Sequence, residues 1–206
     1  MKPNYDAQMN QIIETFKKTQ RPKLLLHSCC GPCSSSVLQQ LCQHFEVTVL
    51  FYNPNIMPQA EYAKRFAEQK KVIDILDFPV SILEIDYDVG YFLDKIKGLE
   101  KEPEGGARCQ KCIELRLRKT AEIAAREKFD FFCTTLSVSP HKDVLFINEA
   151  GTKLAKEFGV SFLPSDFKKR NGYLNSTLFC KEHNIYRQNY CGCIFSKNEQ
   201  SVVSNK

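Results

Sequence analysis

The sequence predicts an α/β fold: a parallel, Rossmann-like sheet with helices on both faces and a cysteine-rich C-terminal extension. Short aliphatic or β-branched runs alternate with amphipathic stretches along the chain, the pattern of a parallel sheet covered on both sides. The first such run leads directly into Cys29-Cys30-Gly31-Pro32-Cys33, and ligands of open α/β sheets gather at the carboxyl ends of strands. The chain has 206 residues, enough for one domain that buries roughly 70% of the surface its unfolded form exposes. Such a core does not need disulfide staples.

Met9, Ile12, Ile13 and Phe16 recur at helical spacing and predict a helix over residues 5–19. Residues 23–28 read as a buried strand, 33–44 as a helix with Val37, Leu38 and Leu41 on one face, and 46–52 (EVTVLFY) as a second strand. The turn Asn53-Pro54-Asn55 ends that strand, and Pro58 suits the first turn of a helix carrying Tyr62, Phe66, Ile73 and Leu76. A third strand is expected over 80–86, then a short helix stopping near Gly98. Residues 98–107 (GLEKEPEGGA) lack an apolar period and read as a loop. A helix from 109 to 128, a strand from 130 to 135, a helix from 143 to 158 closed by Gly159, and a strand over 160–163 follow. The C-terminal third reads as less regular, with 197–206 a flexible tail.

Ten cysteines stand at 29, 30, 33, 42, 109, 112, 133, 180, 191 and 193. No apolar run has the length of a secretory core or of a membrane span, roughly 20 residues. The expected location is the cytoplasm, where thiols stay reduced and clustered cysteines read as metal ligands or catalysts. The net charge of +5 permits a polyanionic partner without demanding one.

Three clusters stand out: Cys29-Cys30-Gly31-Pro32-Cys33 between a strand and a helix, Cys109-x-x-Cys112 at a helix start, and Cys191-Gly192-Cys193 near the end. Helix N-termini and glycine turns lower thiol pKa values and offer N–H donors to sulfur. The clusters lie about 75 and 80 residues apart. A zinc ribbon uses knuckles roughly 15–20 residues apart, whereas iron–sulfur clusters accept scattered cysteines provided that four converge. One 4Fe–4S cluster uses four of the seven clustered thiols, and three remain for a second metal ion, iron or zinc, or for redox-active thiols. Residues 1–196 are therefore expected to form a single metalloenzyme domain. Cys42, Cys133 and Cys180 sit in apolar surroundings and read as structural.

These stretches resemble the epoxyqueuosine reductases of the QueH type. The resemblance runs in order from about residue 23 to 196, through Leu25-Leu26-His27-Ser28-Cys29-Cys30-Gly31-Pro32-Cys33, Tyr52-Asn53-Pro54-Asn55-Ile56, Glu61-Tyr62 and Arg65, and Arg108-Cys109-Gln110-Lys111-Cys112. It continues through Ser137-Val138-Ser139-Pro140-His141-Lys142, Ser165-Asp166-Phe167-Lys168-Lys169 and Tyr186-Arg187-Gln188-Asn189-Tyr190-Cys191-Gly192-Cys193. It implies a sheet of the HUP or PP-loop kind, a 4Fe–4S cluster beside a second metal, and reduction of epoxyqueuosine to queuosine at the tRNA wobble position. Cys30, Cys109, Cys112 and Cys193 are the expected cluster ligands. Cys29, Cys30, Cys33, Cys109, Cys112, Cys191 and Cys193 are the expected metal-binding set, position 33 carrying an acid in some relatives.

Removing an epoxide oxygen to leave an alkene consumes two electrons and two protons. His141, Asp143 and Tyr190 are the candidate proton sources, although Asp143 also suits a helix cap. The partners implied are tRNA carrying epoxyqueuosine and an unidentified electron donor, with no membrane. Lys168-Lys169-Arg170 and Arg116-Leu117-Arg118 are candidates for phosphate contact, and Tyr52, Tyr186 or Tyr190 for stacking on an extruded base.

Two rival readings share some of these features. An ATP-using tRNA-modifying enzyme of the PP-loop kind needs a glycine-rich phosphate loop, but that place holds Ser28-Cys29-Cys30-Gly31-Pro32-Cys33, where proline removes an N–H. A zinc-stabilised RNA-binding module would use the cysteines purely for structure.

Overall fold

The computed structural model describes residues 3–17 and 19–204. Its strands are β1 (Lys23–His27), β2 (Glu46–Phe51), β3 (Ser81–Glu84), β4 (Phe131–Thr134) and β5 (Ser161–Phe162). They form one parallel sheet in the order β3-β2-β1-β4-β5. The predicted α/β class and all five strands are present, each strand within two residues of its expected bounds.

β1 is central, and its residues alternate between two cores as the pleat requires. Leu25 joins Leu50, Leu117, Phe132, Ile147 and Leu154 on one face. Leu24 and Leu26 join Val37, Leu38, Leu41, Val47 and Val49 on the other. The first face is covered by α5 (Ala107–Arg126) and α6 (Val144–Phe158), the second by α1 (Tyr5–Glu14) and α2 (Gly31–Leu41). α3 (Gln59–Leu76) packs alongside α2, and α4 (Val89–Lys95) follows β3.

Two helix starts differ from expectation in a way that matters for the thiols. α2 begins at Gly31, with Pro32 in its first turn, because proline's missing N–H is no loss there; Cys33 therefore lies inside the first turn. α5 begins at Ala107, so Cys109 and Cys112 sit three apart on neighbouring positions of its first turns. α1 ends at Glu14 rather than 19, and Lys18 lies outside the described residues.

The irregular C-terminal third is corrected by two helices, α7 (Gly172–Glu182) and α8 (Ile194–Ser204). α7 has a weak apolar pattern because Leu174 and Leu178 are exposed while Phe179 and Cys180 are buried. α8 occupies most of the expected flexible tail, and residues 205 and 206 lie outside the described residues. Tertiary contacts tie α8 down: Glu199 pairs with Arg108 at 3.0 Å, and the Ser196 hydroxyl donates to Glu104 at 2.8 Å. No local sequence period reports such contacts.

Phe132 is fully buried with its ring 5.1 Å from that of Phe162, joining β4 to β5. We expect Phe132→Ala to lose about 3–5 kcal/mol in urea denaturation, the cavity cost of a buried aromatic. A loss under about 1 kcal/mol would contradict this placement of the core.

Candidate metal centre

β1 lies between β2 and β4, where the strand order reverses, and the crevice beyond that point is the usual ligand position in open α/β sheets. Buried His27 ties the three strand ends together: Nδ1 is 2.9 Å from Thr134 Oγ1, and Nε2 is 3.1 Å from the Tyr52 carbonyl oxygen. Burial, with Arg116 adding to it, lowers its pKa to about 3, so His27 is a neutral strut. Asn53 Nδ2 donates to the Ser28 carbonyl at 2.8 Å and props the turn that follows.

The first thiol set sits on that turn. Cys29, Cys30 and Cys33 place their sulfurs within 4.8 Å of one another, with Cys29 and Cys30 sulfurs 3.7 Å apart. Thiolates on one tetrahedral ion with metal–sulfur bonds of about 2.3 Å stand about 3.8 Å apart, so the trio fits a metal ion. Hydrogen bonds from Cys30 and Cys33 hold the Cys29 thiol well below its ordinary pKa, against burial, with Thr135 and Arg116 helping. The same sharing pushes Cys30 up to about 12 and raises Cys33 well above its ordinary value. Thr135, after β4, places its hydroxyl 3.6 Å from the Cys29 sulfur. Gln188 Nε2 donates to the Cys30 sulfur at 3.0 Å.

The second set is a quartet. Cys109, Cys112, Cys191 and Cys193 line one small cavity together with Asn55, Arg116 and Lys142. Burial pushes the Cys112 thiol up to about 11, with Arg116 opposing, and raises Cys193. Backbone N–H groups point at the sulfurs: Gly105 N lies 3.2 Å from Cys109 Sγ and Ser196 N 3.4 Å from Cys193 Sγ. Four thiols, a helix N-terminus and N–H···S bonds are donors that could hold a metal centre.

The Cys191-Gly192-Cys193 turn is held from several sides. Arg65 donates to the Cys191 carbonyl at 2.9 Å and the Tyr190 carbonyl at 3.2 Å, while its Nε pairs with Glu61 at 2.7 Å. Met57 N donates to the Gly192 carbonyl at 2.9 Å. Gly192 has φ of +140°, and a Cβ there would lie 2.9 Å from Ile56 Cγ1 and 3.1 Å from Asn55 Nδ2.

A cleft of about 690 Å³ opens over both sets, lined by Cys33 on one side and Cys191 on the other. The expected proton sources divide here. His141 is exposed in the cleft wall. Asp143 caps α6, accepting from Leu145 N and Phe146 N at 2.9 and 3.2 Å. Tyr190 lines the cleft, but its hydroxyl donates to the Met57 carbonyl at 2.9 Å. Lys142, not singled out from the sequence, faces Cys191 and pairs with Glu104 at 3.3 Å. Burial opposes its charge, and Cys191 and Glu104 outweigh burial, so its pKa lies above an ordinary lysine's.

The structure groups the thiols, cations and rings differently from the arrangement expected of the sequence. Cys30 sits with Cys29 and Cys33, and Cys191 takes its place beside Cys109, Cys112 and Cys193. Arg116 is buried at the thiols rather than displayed for phosphate contact, and Arg118 pairs with Glu157, Lys168 with Asp166 and Arg170 with Asp6. Of the stacking candidates, Tyr52 is buried, and Tyr186 lies under the Lys64 ammonium, 3.5 Å from its ring centre. Tyr173, unforeseen, is 42% exposed and lines the cleft. Cys42, Cys133 and Cys180 are buried outside both sets.

Fold and site together define a parallel α/β protein with a two-part thiol centre at its strand ends. The family model described as Epoxyqueuosine reductase QueH matches residues 24–199. The chain belongs to this family. Epoxyqueuosine reductase QueH of Streptococcus pyogenes serotype M1 is 41% identical over 98% of this chain and 81% of its own length. The Staphylococcus epidermidis protein of that name is 40% identical over 98% of this chain and 87% of its own. The Thermotoga maritima protein is 34% identical over 86% and 91%. Among solved structures, the U34-tRNA thiolase NcsA from Methanococcus maripaludis with its [4Fe-4S] cluster superposes with a TM-score of 0.52, covering 97% of this chain and 72% of its own. At 14% identity that likeness concerns the fold alone. No described helix is long and apolar enough to cross a membrane.

Gly192→Ala should leave the sheet intact but lower the iron retained after anaerobic purification, since positive-φ strain of about 1–3 kcal/mol adds to the clash with Ile56. Full iron content in a folded Gly192→Ala protein would show that this turn does not govern the site.

Proposed function

We propose that this protein reduces the epoxide of epoxyqueuosine in tRNA, yielding queuosine and water from two electrons and two protons. Family membership names the reaction. The observation that carries it to this chain is the division of seven cysteines into a trio and a quartet bordering one cleft. Cys109, Cys112, Cys191 and Cys193 would hold a 4Fe–4S cluster, and Cys29, Cys30 and Cys33 a second metal ion, iron or zinc. When bound, these groups supply electrons singly and a Lewis-acid position for the epoxide oxygen.

The remaining work falls to the chain's own residues. Cys33 of the trio and Cys191 of the quartet line the same cleft, which offers a seat for the base beside both sets. Tyr173, with Arg187 5.5 Å from its ring centre, offers a stacking face for an extruded base. Lys142 stays protonated beside Cys191 and donates from Nζ to the departing oxygen. Glu104 orients that ammonium at 3.3 Å and links it to Ser196 at 2.8 Å. His141 at the cleft wall supplies the second proton from solvent. The electrons come from an external donor.

Anaerobic protein given a reductant and epoxyqueuosine-containing tRNA should form queuosine, read by mass analysis of digested nucleosides. No queuosine with the cluster intact would reject the reading. Cys112→Ala and Cys193→Ala should lose both cluster and turnover. Cys30→Ala should keep iron and sulfide of the cluster while turnover falls to background, and equal cluster loss in Cys30→Ala would reject the division.

Lys142→Gln should keep its iron and slow turnover by about 10²–10⁴-fold, the usual range for a lost general acid. Unchanged single-turnover rates in this variant would remove Lys142 from the proton path.

A further inference from the structure

Three arginines are almost wholly buried: Arg65 at 1% exposure, Arg108 at 2% and Arg116 at 2%. Two have carboxylate partners, Arg65 with Glu61 at 2.7 Å and Arg108 with Glu199 at 3.0 Å. Arg116 has none among the described residues. Its Nε donates to the Cys112 carbonyl at 3.2 Å, and its side chain lines the quartet's cavity. A buried, unpaired guanidinium is expensive, the desolvation penalty amounting to several kcal/mol. It persists where opposite charge is supplied by another group.

We propose that Arg116 is a positioning residue whose guanidinium serves as counter-charge to the quartet and raises the reduction potential of the cluster held by Cys109, Cys112, Cys191 and Cys193. The inference rests on the cluster reading given above. Arg116 projects from α5 one turn beyond Cys112, which places it behind the quartet. Burial opposes the Arg116 charge, and the surrounding thiols, Cys112 first, outweigh that burial. The other cations lining the quartet's cavity are Lys142 and Arg108; they pair with Glu104 and Glu199, so their charges are partly neutralised. Arg116 carries a full positive charge in a poorly solvated place, where electrostatic effects are strong.

Reduction adds a negative charge to a group that four thiolates already make anionic. A fixed cation nearby stabilises the reduced state more than the oxidised one, and the potential rises.

The test is an anaerobic redox titration of the cluster-loaded protein, following visible absorption, with iron and sulfide measured on the same samples. Arg116→Gln should retain iron and sulfide and shift the midpoint to more negative potential. Arg116→Lys, which keeps the charge and loses the planar fork, should stay close to the wild type. An unchanged midpoint in loaded Arg116→Gln would overturn the proposal, as would an equal negative shift in Arg116→Lys. Should Arg116→Gln fail to fold, Arg116→Met takes its place, a negative midpoint shift in the loaded protein supporting the role of charge and an unchanged midpoint rejecting it. Wild-type protein without iron and sulfide would instead reject the cluster reading, a result distinct from both.

Discussion

Like charges set the terms of this structure. Seven thiols fall into a trio and a quartet, one thiol of each lining the same cleft, and to bind metal they must be ionised close together in a poorly solvated place, which mutual repulsion and burial both oppose. The fold answers with positive ends. Cys33 lies in the first turn of α2, and Cys109 and Cys112 lie in the first turns of α5, where helix dipoles favour thiolates. Gln188, Gly105 and Ser196 aim N–H groups at sulfur. Arg116 and Lys142 bring positive charge. In the proposed centre a metal ion or cluster would complete the compensation.

Bringing the thiols together is a separate problem, since the three segments are remote in the chain. The parallel sheet solves the first part by directing the ends of β1 and β4 to the same edge, so that Cys29 meets Thr135. α5 packs across that sheet and presents its N-terminus at the same edge. The Cys191–Cys193 turn has no strand behind it. It is bound to α3 by Arg65 and to the segment just before α3 by Met57, and its glycine admits the close approach of Ile56. Loop 98–107 closes the assembly: Arg108 donates to the Glu100 and Glu102 carbonyls, and Glu104 reaches Lys142 and Ser196.

Much of this was legible in the residues. The strands announced themselves through short β-branched and aliphatic runs, and the cysteine pairs through their glycine and proline neighbours. The division of thiols was not legible, because spacing along the chain cannot say that Cys191 turns toward α5 while Cys30 turns toward Gln188. Asp143 was rightly weighed as a cap. Lys142 and Glu104 escaped notice because each stands in a charged loop, where ordinary solvated side chains look the same. Arg116 was misplaced for a related reason: a basic doublet on a helix looks like a surface, and only the packing of α5 shows that one of its cations faces inward. α7 was obscured by Leu174 and Leu178, apolar residues that the fold leaves exposed beside the cleft.

The account stands on a cluster and a separate ion held side by side by distinct thiols. Metal and acid-labile sulfide analysis of the anaerobically isolated wild-type chain, with Mössbauer spectra of iron-57 protein, addresses this most directly. The account predicts about four sulfides and four cluster irons per chain, with one further metal ion in a different coordination. Zinc alone, without sulfide, would contradict it.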